Sequence, residues 1–166
     1  MIYHKSSIIN RKSQLAFTLI ELLIVIVIIG VLATIFFANY LGVRQRANDS
    51  KRKSDLRQIQ AALELIRSDT GSYPASLYSA NCPTSSPLQV GAVIYMNKIP
   101  CDPPPSMGNP LYFPGDSSGR NYFYNLSSGT TYYLFTCIEN TNDKGPNVIT
   151  QETLCTTGKG YYLPNP

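Results

Sequence analysis

Residues Phe17 to Leu41 carry one formal charge, Glu21, and from Leu22 to Ala33 the run is unbroken apolar. About 20 consecutive apolar residues in helical form cross a bilayer core, so the run predicts a transmembrane helix. Lys5, Arg11 and Lys12 precede it, and a basic segment before an apolar run is also how a cleaved secretory signal is built. The length of the run and the carboxylate inside its start weigh against that simpler alternative. An acid at the middle of a membrane helix costs on the order of 2.5–3.5 kcal/mol, less near the interface. Glu21 must therefore either snorkel to headgroup level or meet a partner.

Composition changes along the chain. All 12 prolines lie at Pro74 or later, and of the 11 glycines only Gly30, Gly42 and Gly71 come earlier. The first 73 residues thus lack the stronger helix breaker. From Gly42 to Ser68 the basic residues Arg44, Arg46, Lys51, Arg52, Lys53, Arg57 and Arg67 outnumber Asp49, Asp55 and Glu64. Leu56, Ile59, Leu63 and Ile66 recur at helical spacing and form one apolar face. Asp69-Thr70-Gly71 then supplies a helix stop. A continuous helix from Phe17 to Ser68 would be about 78 Å long at ~1.5 Å per residue. The basic run reads as a solvated face or a contact with lipid headgroups and acidic neighbours, and nucleic acid is not expected as a partner.

The remainder is rich in Tyr, Pro, Gly and Ser. After a loop-rich stretch to about Leu111, residues 121–126 and 131–138 are aromatic and β-branched and flank the hairpin loop 127–130. Leu111-Tyr112-Phe113 and Gly160-Tyr161-Tyr162-Leu163 are weaker strand candidates. The expected fold class is α+β, a long N-terminal helix with a transmembrane first half, packed on a small antiparallel sheet. Cys82, Cys101, Cys137 and Cys155 all fall in this head. Four thiols allow three pairings. Cys82–Cys101 and Cys137–Cys155 are preferred because each closes a loop of roughly 20 residues, worth about 3 kcal/mol in the chain-entropy model.

The only histidine is His4, and the net charge is +4. A Ser-His-Asp triad, an HExxH zinc site and a paired-His metal site are thereby set aside. The scattered carboxylates form no catalytic constellation, so neither enzymatic activity nor a cofactor is expected.

The segment Leu15-Ala16-Phe17-Thr18-Leu19-Ile20-Glu21-Leu22-Leu23 resembles the cleavage-and-methylation motif of type IV prepilins and type II secretion pseudopilins. The resemblance consists of a short basic leader, a small residue, Phe-Thr-Leu-Ile-Glu and about twenty apolar residues, with Gly30 and Ala33 at habitually small positions. Ala16 stands where most of that family has Gly, and Ala38 where many members have Pro. The resemblance implies that prepilin peptidase cuts between Ala16 and Phe17 and methylates the new amine of Phe17. Glu21 would then neutralise the Phe17 amine of a neighbouring subunit. The head adds Gly71-Ser72-Tyr73-Pro74, then Lys98-Ile99-Pro100-Cys101-Asp102-Pro103 and Gly108-Asn109-Pro110-Leu111-Tyr112, which resemble segments of the major pseudopilins. The loop bounded by Cys137 and Cys155 resembles the C-terminal region of many type IV pilins.

Four segments follow: a leader (1–16), a membrane half of the helix (17–41), an amphipathic half (42–69) and a head (70–166). The implied function is a structural subunit of a pilus-like filament, close to a major pseudopilin. A true type IV pilin for adhesion, motility or DNA uptake and a membrane-anchored binding module are the alternatives. Implied partners are copies of itself, prepilin peptidase, an inner-membrane assembly platform, minor pilins and, before assembly, the lipid bilayer. The cations after the span would by the positive-inside rule place the head in the cytoplasm. The cysteines and the resemblance place it outside, on an inner-membrane protein that later joins a filament beyond the cytoplasm or on the cell surface. Major pseudopilins also carry calcium near the place of the oxygen-rich loop 139–145. That makes Asp143 and Glu139 calcium candidates, although two carboxylates beside Lys144 suit an ordinary polar turn better.

Overall fold

The structure, a computed structural model, describes residues 17–78, 82, 86–104 and 121–166, without the side chains of 35–39. The leader with Ala16, and the strand expected at 111–113, lie outside the described residues. The chain opens with helix α1 (Leu19–Thr70), followed by β1 (Leu88–Val90), β2 (Val93–Met96), β3 (Phe123–Ser128), β4 (Thr131–Cys137), β5 (Val148–Thr150) and β6 (Lys159–Pro164). It divides into two compact units, Met1–Ala38 and Asn39–Pro166.

In the first unit, α1 starts with a reciprocal capping box. The Glu21 N–H donates to Thr18 Oγ1 at 3.3 Å, while the Thr18 N–H donates back to Glu21 Oε2 at 2.9 Å. Two donors that the first helical turn leaves without partners are satisfied in this way. Beyond the cap, the large apolar residues from Leu19 to Leu32 are each 50–82% exposed, so this part of the helix has no buried side. Among the described residues no helix is long and apolar enough to cross a membrane. The span expected over 17–41 includes residues 35–39, whose side chains are not among those described.

The second unit is built on the later half of α1. Leu56, Ile59, Leu63 and Ile66 are at most 1% exposed, as their spacing requires of a core face. They share one core with Tyr132 and Leu134 of β4, Tyr161 and Leu163 of β6, and Tyr73, Leu77, Leu88 and Ile99. Each fully buried Leu or Ile contributes roughly 1.5–3 kcal/mol. The helix ends at Gly71, whose φ of 79° no β-carbon-bearing residue adopts readily. Its N–H closes onto the Arg67 carbonyl at 2.8 Å.

Four strands form an antiparallel sheet in the order β3-β4-β6-β5. Strand alternation sends Tyr132, Leu134 and Thr136 to the helix side and Tyr133, Phe135 and Cys137 to the other. On that other side Phe135, Cys137 and Cys155 form a smaller core, with Phe123, Tyr133, Leu154 and Tyr162 packed around it. The β3–β4 loop is shorter than the expected 127–130, because Ser128 still pairs with Thr131 after a register shift. Three strands were not expected. Strands β1 and β2 form a separate two-stranded hairpin inside the stretch read as loop, and β5 adds an edge to β6.

Disulfides join Cys82 to Cys101 and Cys137 to Cys155, with Cα separations of 5.9 and 5.5 Å. This is the pairing with two short loops. The second unit has the α+β build of a helix packed on antiparallel strands.

Candidate functional site

Two places carry the charges that a fold of this kind must account for. The first is the start of α1. Phe17 is 85% exposed. The carboxylate of Glu21 is fixed to its own helix, since the Thr18 hydroxyl also donates to Oε2, at 2.8 Å. Among the described residues Oε1 has no hydrogen-bond partner. The sequence pattern Thr-x-x-Glu carries this cap, a role not assigned to Thr18 from the sequence. A helix apolar on every side must be covered by lipid or by other chains. Its one anion, oriented by a cap, can accept a cation at a defined height along the helix.

The second place is the buried guanidinium of Arg52. Its side chain is 0% exposed and pairs with Asp49 at 2.7 Å, Asp102 at 2.8 Å and Glu139 at 2.9 Å. Burial pushes the Asp102 carboxyl up to about 6, against the pull of Arg52 and of the Thr136 hydroxyl. Asp49 also accepts the backbone N–H groups of Glu139 and Asn140, both at 2.8 Å. Nearby, Tyr122 donates to Asp55 at 2.7 Å. Burial raises both groups, the carboxyl above the usual carboxylate value and the phenol far above its ordinary range. This network ties the segments around Asp102 and Glu139 to α1 and leaves its carboxylates no unmatched role. Sequence reading placed Arg52 on an exposed basic face, and the structure corrects that. Two positions, Asp49 and Arg52, continue the Leu56/Ile59/Leu63/Ile66 stripe backward at the same spacing, so both fall on the core face.

The calcium candidates are committed to cations as well. Glu139 faces Arg52 and accepts from Asn48 at 2.9 Å, while Asp143 accepts from Lys53 at 2.6 Å. Lys53 holds the Asp143 carboxyl below its usual range. Among the described residues no group of three or more His, Cys, Asp or Glu side chains could hold a metal ion. The three acids that do converge enclose a guanidinium.

An exposed apolar stretch at the start of α1, capped by Thr18 and Glu21, and an α+β unit built on the later half of that helix are the organisation of pilin-class subunits. The Prokaryotic N-terminal methylation motif matches residues 11–37. The chain is 32% identical over 109 residues to type II secretion system core protein G of Aeromonas hydrophila, covering 61% of this chain and 73% of that protein. Against the same protein of Pseudomonas aeruginosa it is 30% identical over 126 residues, 72% of this chain and 87% of the relative. Against that of Escherichia coli K12 it is 34% identical over 96 residues, covering 54% and 66%. No solved structure matches the chain. It belongs to the family of type II secretion system core protein G, the major pseudopilin.

Proposed function

We propose that this chain is a filament subunit stored in the inner membrane and assembled through its N-terminal helix. In this reading residues 1–16 are the leader, prepilin peptidase cuts between Ala16 and Phe17, and the new amine of Phe17 is methylated. Residues 17–41 then hold the subunit in the bilayer with the head outside the cytoplasm. On assembly the Glu21 carboxylate accepts the Phe17 amine of a neighbouring copy. Two charges costly in lipid thereby become one hydrogen-bonded pair that fixes axial register. An assembly platform and minor pilins complete the set of partners. The subunit supplies surfaces rather than chemistry, so it needs no catalytic residue and no cofactor.

One observation carries this reading: a stretch of α1, from Leu19 to Leu32, whose large apolar residues are all at least half exposed and whose only charge is Glu21, held by Thr18. Replacing Glu21 by Ala tests it. The variant is expected to stay in the membrane fraction and be lost from filaments. Because Glu21→Ala also breaks the cap, worth about 1 kcal/mol, Thr18→Ala is the control. That control keeps the carboxylate and is expected to keep most filament incorporation. Normal filaments from Glu21→Ala would refute the pairing.

A further inference from the structure

Of the basic residues after the apolar run, Arg52 is buried and Lys53 is engaged with Asp143. Arg44, Arg46, Lys51 and Arg57 are exposed, and none forms an ion pair among the described residues. Arg44 and Lys51 lie two helical turns apart and Arg46 and Arg57 three, so each pair shares a side of α1. Between the two pairs run Ala47, Ser50 and Ser54, all exposed and none acidic.

We infer that Arg44, Arg46, Lys51 and Arg57 form a docking surface for anionic phospholipid headgroups, an inference that rests on the membrane-stored precursor proposed above. The partner follows from charge. Among the described residues a second copy of the chain offers few exposed carboxylates to meet four cations. Asp49, Asp55, Asp102 and Glu139 are buried, Asp143 is on Lys53, and Glu64 accepts from Tyr73 and Tyr132. Asp69 accepts from Tyr95. Among the described residues Glu152 is the one exposed carboxylate with no hydrogen-bond or ion-pair partner.

Position names the same partner. Arg44 comes three residues after Leu41, the end of the apolar run. The rise from Arg44 to Lys51 is about 10 Å, close to the ~8–10 Å over which an anionic surface acts at moderate salt. Arg44 and Arg46 therefore reach lipid phosphates, with guanidinium forks suited to them, Lys51 feels the surface potential, and Arg57, about 20 Å beyond Arg44 along α1, adds only the weak tail of that attraction at low salt. The excess of cations on the head side, which contradicts the positive-inside rule, becomes a lipid contact on the side the head occupies. These contacts must break when the subunit leaves the bilayer for the filament, so anionic lipid opposes extraction.

The test uses the full chain and two vesicle populations, one of phosphatidylcholine alone and one with about 30% phosphatidylglycerol. The chain is synthesised cell-free in the presence of both, so that it partitions as it inserts, and its distribution is measured by flotation. Each cation near an anionic surface is expected to give roughly fivefold, so enrichment on the order of 10-fold or more in the anionic vesicles is predicted at low salt, shrinking as salt rises. The combined variant Arg44→Gln, Arg46→Gln, Lys51→Gln, Arg57→Gln should lose at least fivefold of that enrichment while resisting carbonate extraction. Leader cations are the same in both chains, so only the difference counts. A variant within about twofold of the wild type overturns the inference, as does retention of a DNA duplex in preference to the anionic vesicles. Failure of the wild type to resist carbonate extraction from either vesicle instead sinks the membrane reading itself.

Discussion

Replacing Arg52 by Met keeps most of the side-chain volume and removes the charge that three carboxylates share. The partners Asp49, Asp102 and Glu139 have side chains only 3–8% exposed and lie at 2.7–2.9 Å. Removing one partner of a buried ion pair costs about 3–5 kcal/mol, because the remaining charge has no compensation. For a unit of this size that lowers Tm by on the order of 10–20 °C. Tyrosine near-UV circular dichroism of the full chain in a non-ionic detergent reports the melt, since the chain has 12 Tyr and no Trp. The loss must depend on pH in a definite direction. Burial already raises the Asp102 carboxyl from an ordinary 3.8 to about 6. The folded state therefore binds more protons than the unfolded one between those values, and stability is full below 3.8 and lost as pH rises through about 6. Without Arg52 nothing pulls that carboxyl down. The variant is expected to be most impaired near pH 8 and to recover part of the loss near pH 5. Adding Asp49→Asn, Asp102→Asn and Glu139→Gln should restore much of the rest. A variant melting within 1–2 °C of wild type at pH 8 would refute the network as the tie between α1 and the head loops.

Gly160→Ala should destabilise the head by about 1–3 kcal/mol, because an added Cβ would overlap the Phe135 ring across β4 and β6; the same melt reads it, and Phe135→Leu should relieve it. Removing the Cys137–Cys155 bridge as the double Ser variant opens a loop with a sequence separation of 18 and should cost about 3 kcal/mol. Limited proteolysis between residues 138 and 154 is expected to appear in that variant and not in wild type.

The helix–sheet core was legible because helical periodicity is local: Leu56, Ile59, Leu63 and Ile66 declare their common face within three turns. The β3–β4 hairpin was legible for a similar reason, two aromatic and β-branched runs around a Ser/Gly/Thr turn. Strand β5 was not, since three residues after Pro146 and Asn147 hold a strand only by pairing with β6. Strands β1 and β2 are equally short and exist as a pair. Arg52 was missed because two of its three carboxylates lie 50 and 87 positions away at Asp102 and Glu139. Its signal was a charge on the stripe of the core face, a position that obliges a buried partner. The acids at 139 and 143, read from sequence as oxygen donors, were already matched to cations on the helix. Glu21 was legible as a lone acid in an apolar run. The cap from Thr18 was written in the same four residues, but the two readings compete for one side chain.

Whether the chain becomes a filament subunit through its processed N-terminal helix is decided by mass spectrometry of the mature N-terminus. A chain that begins at Phe17 and carries one added methyl group on its amine is the expected result of that processing. An unmethylated chain beginning at Met1, or one beginning well beyond Phe17, would contradict it.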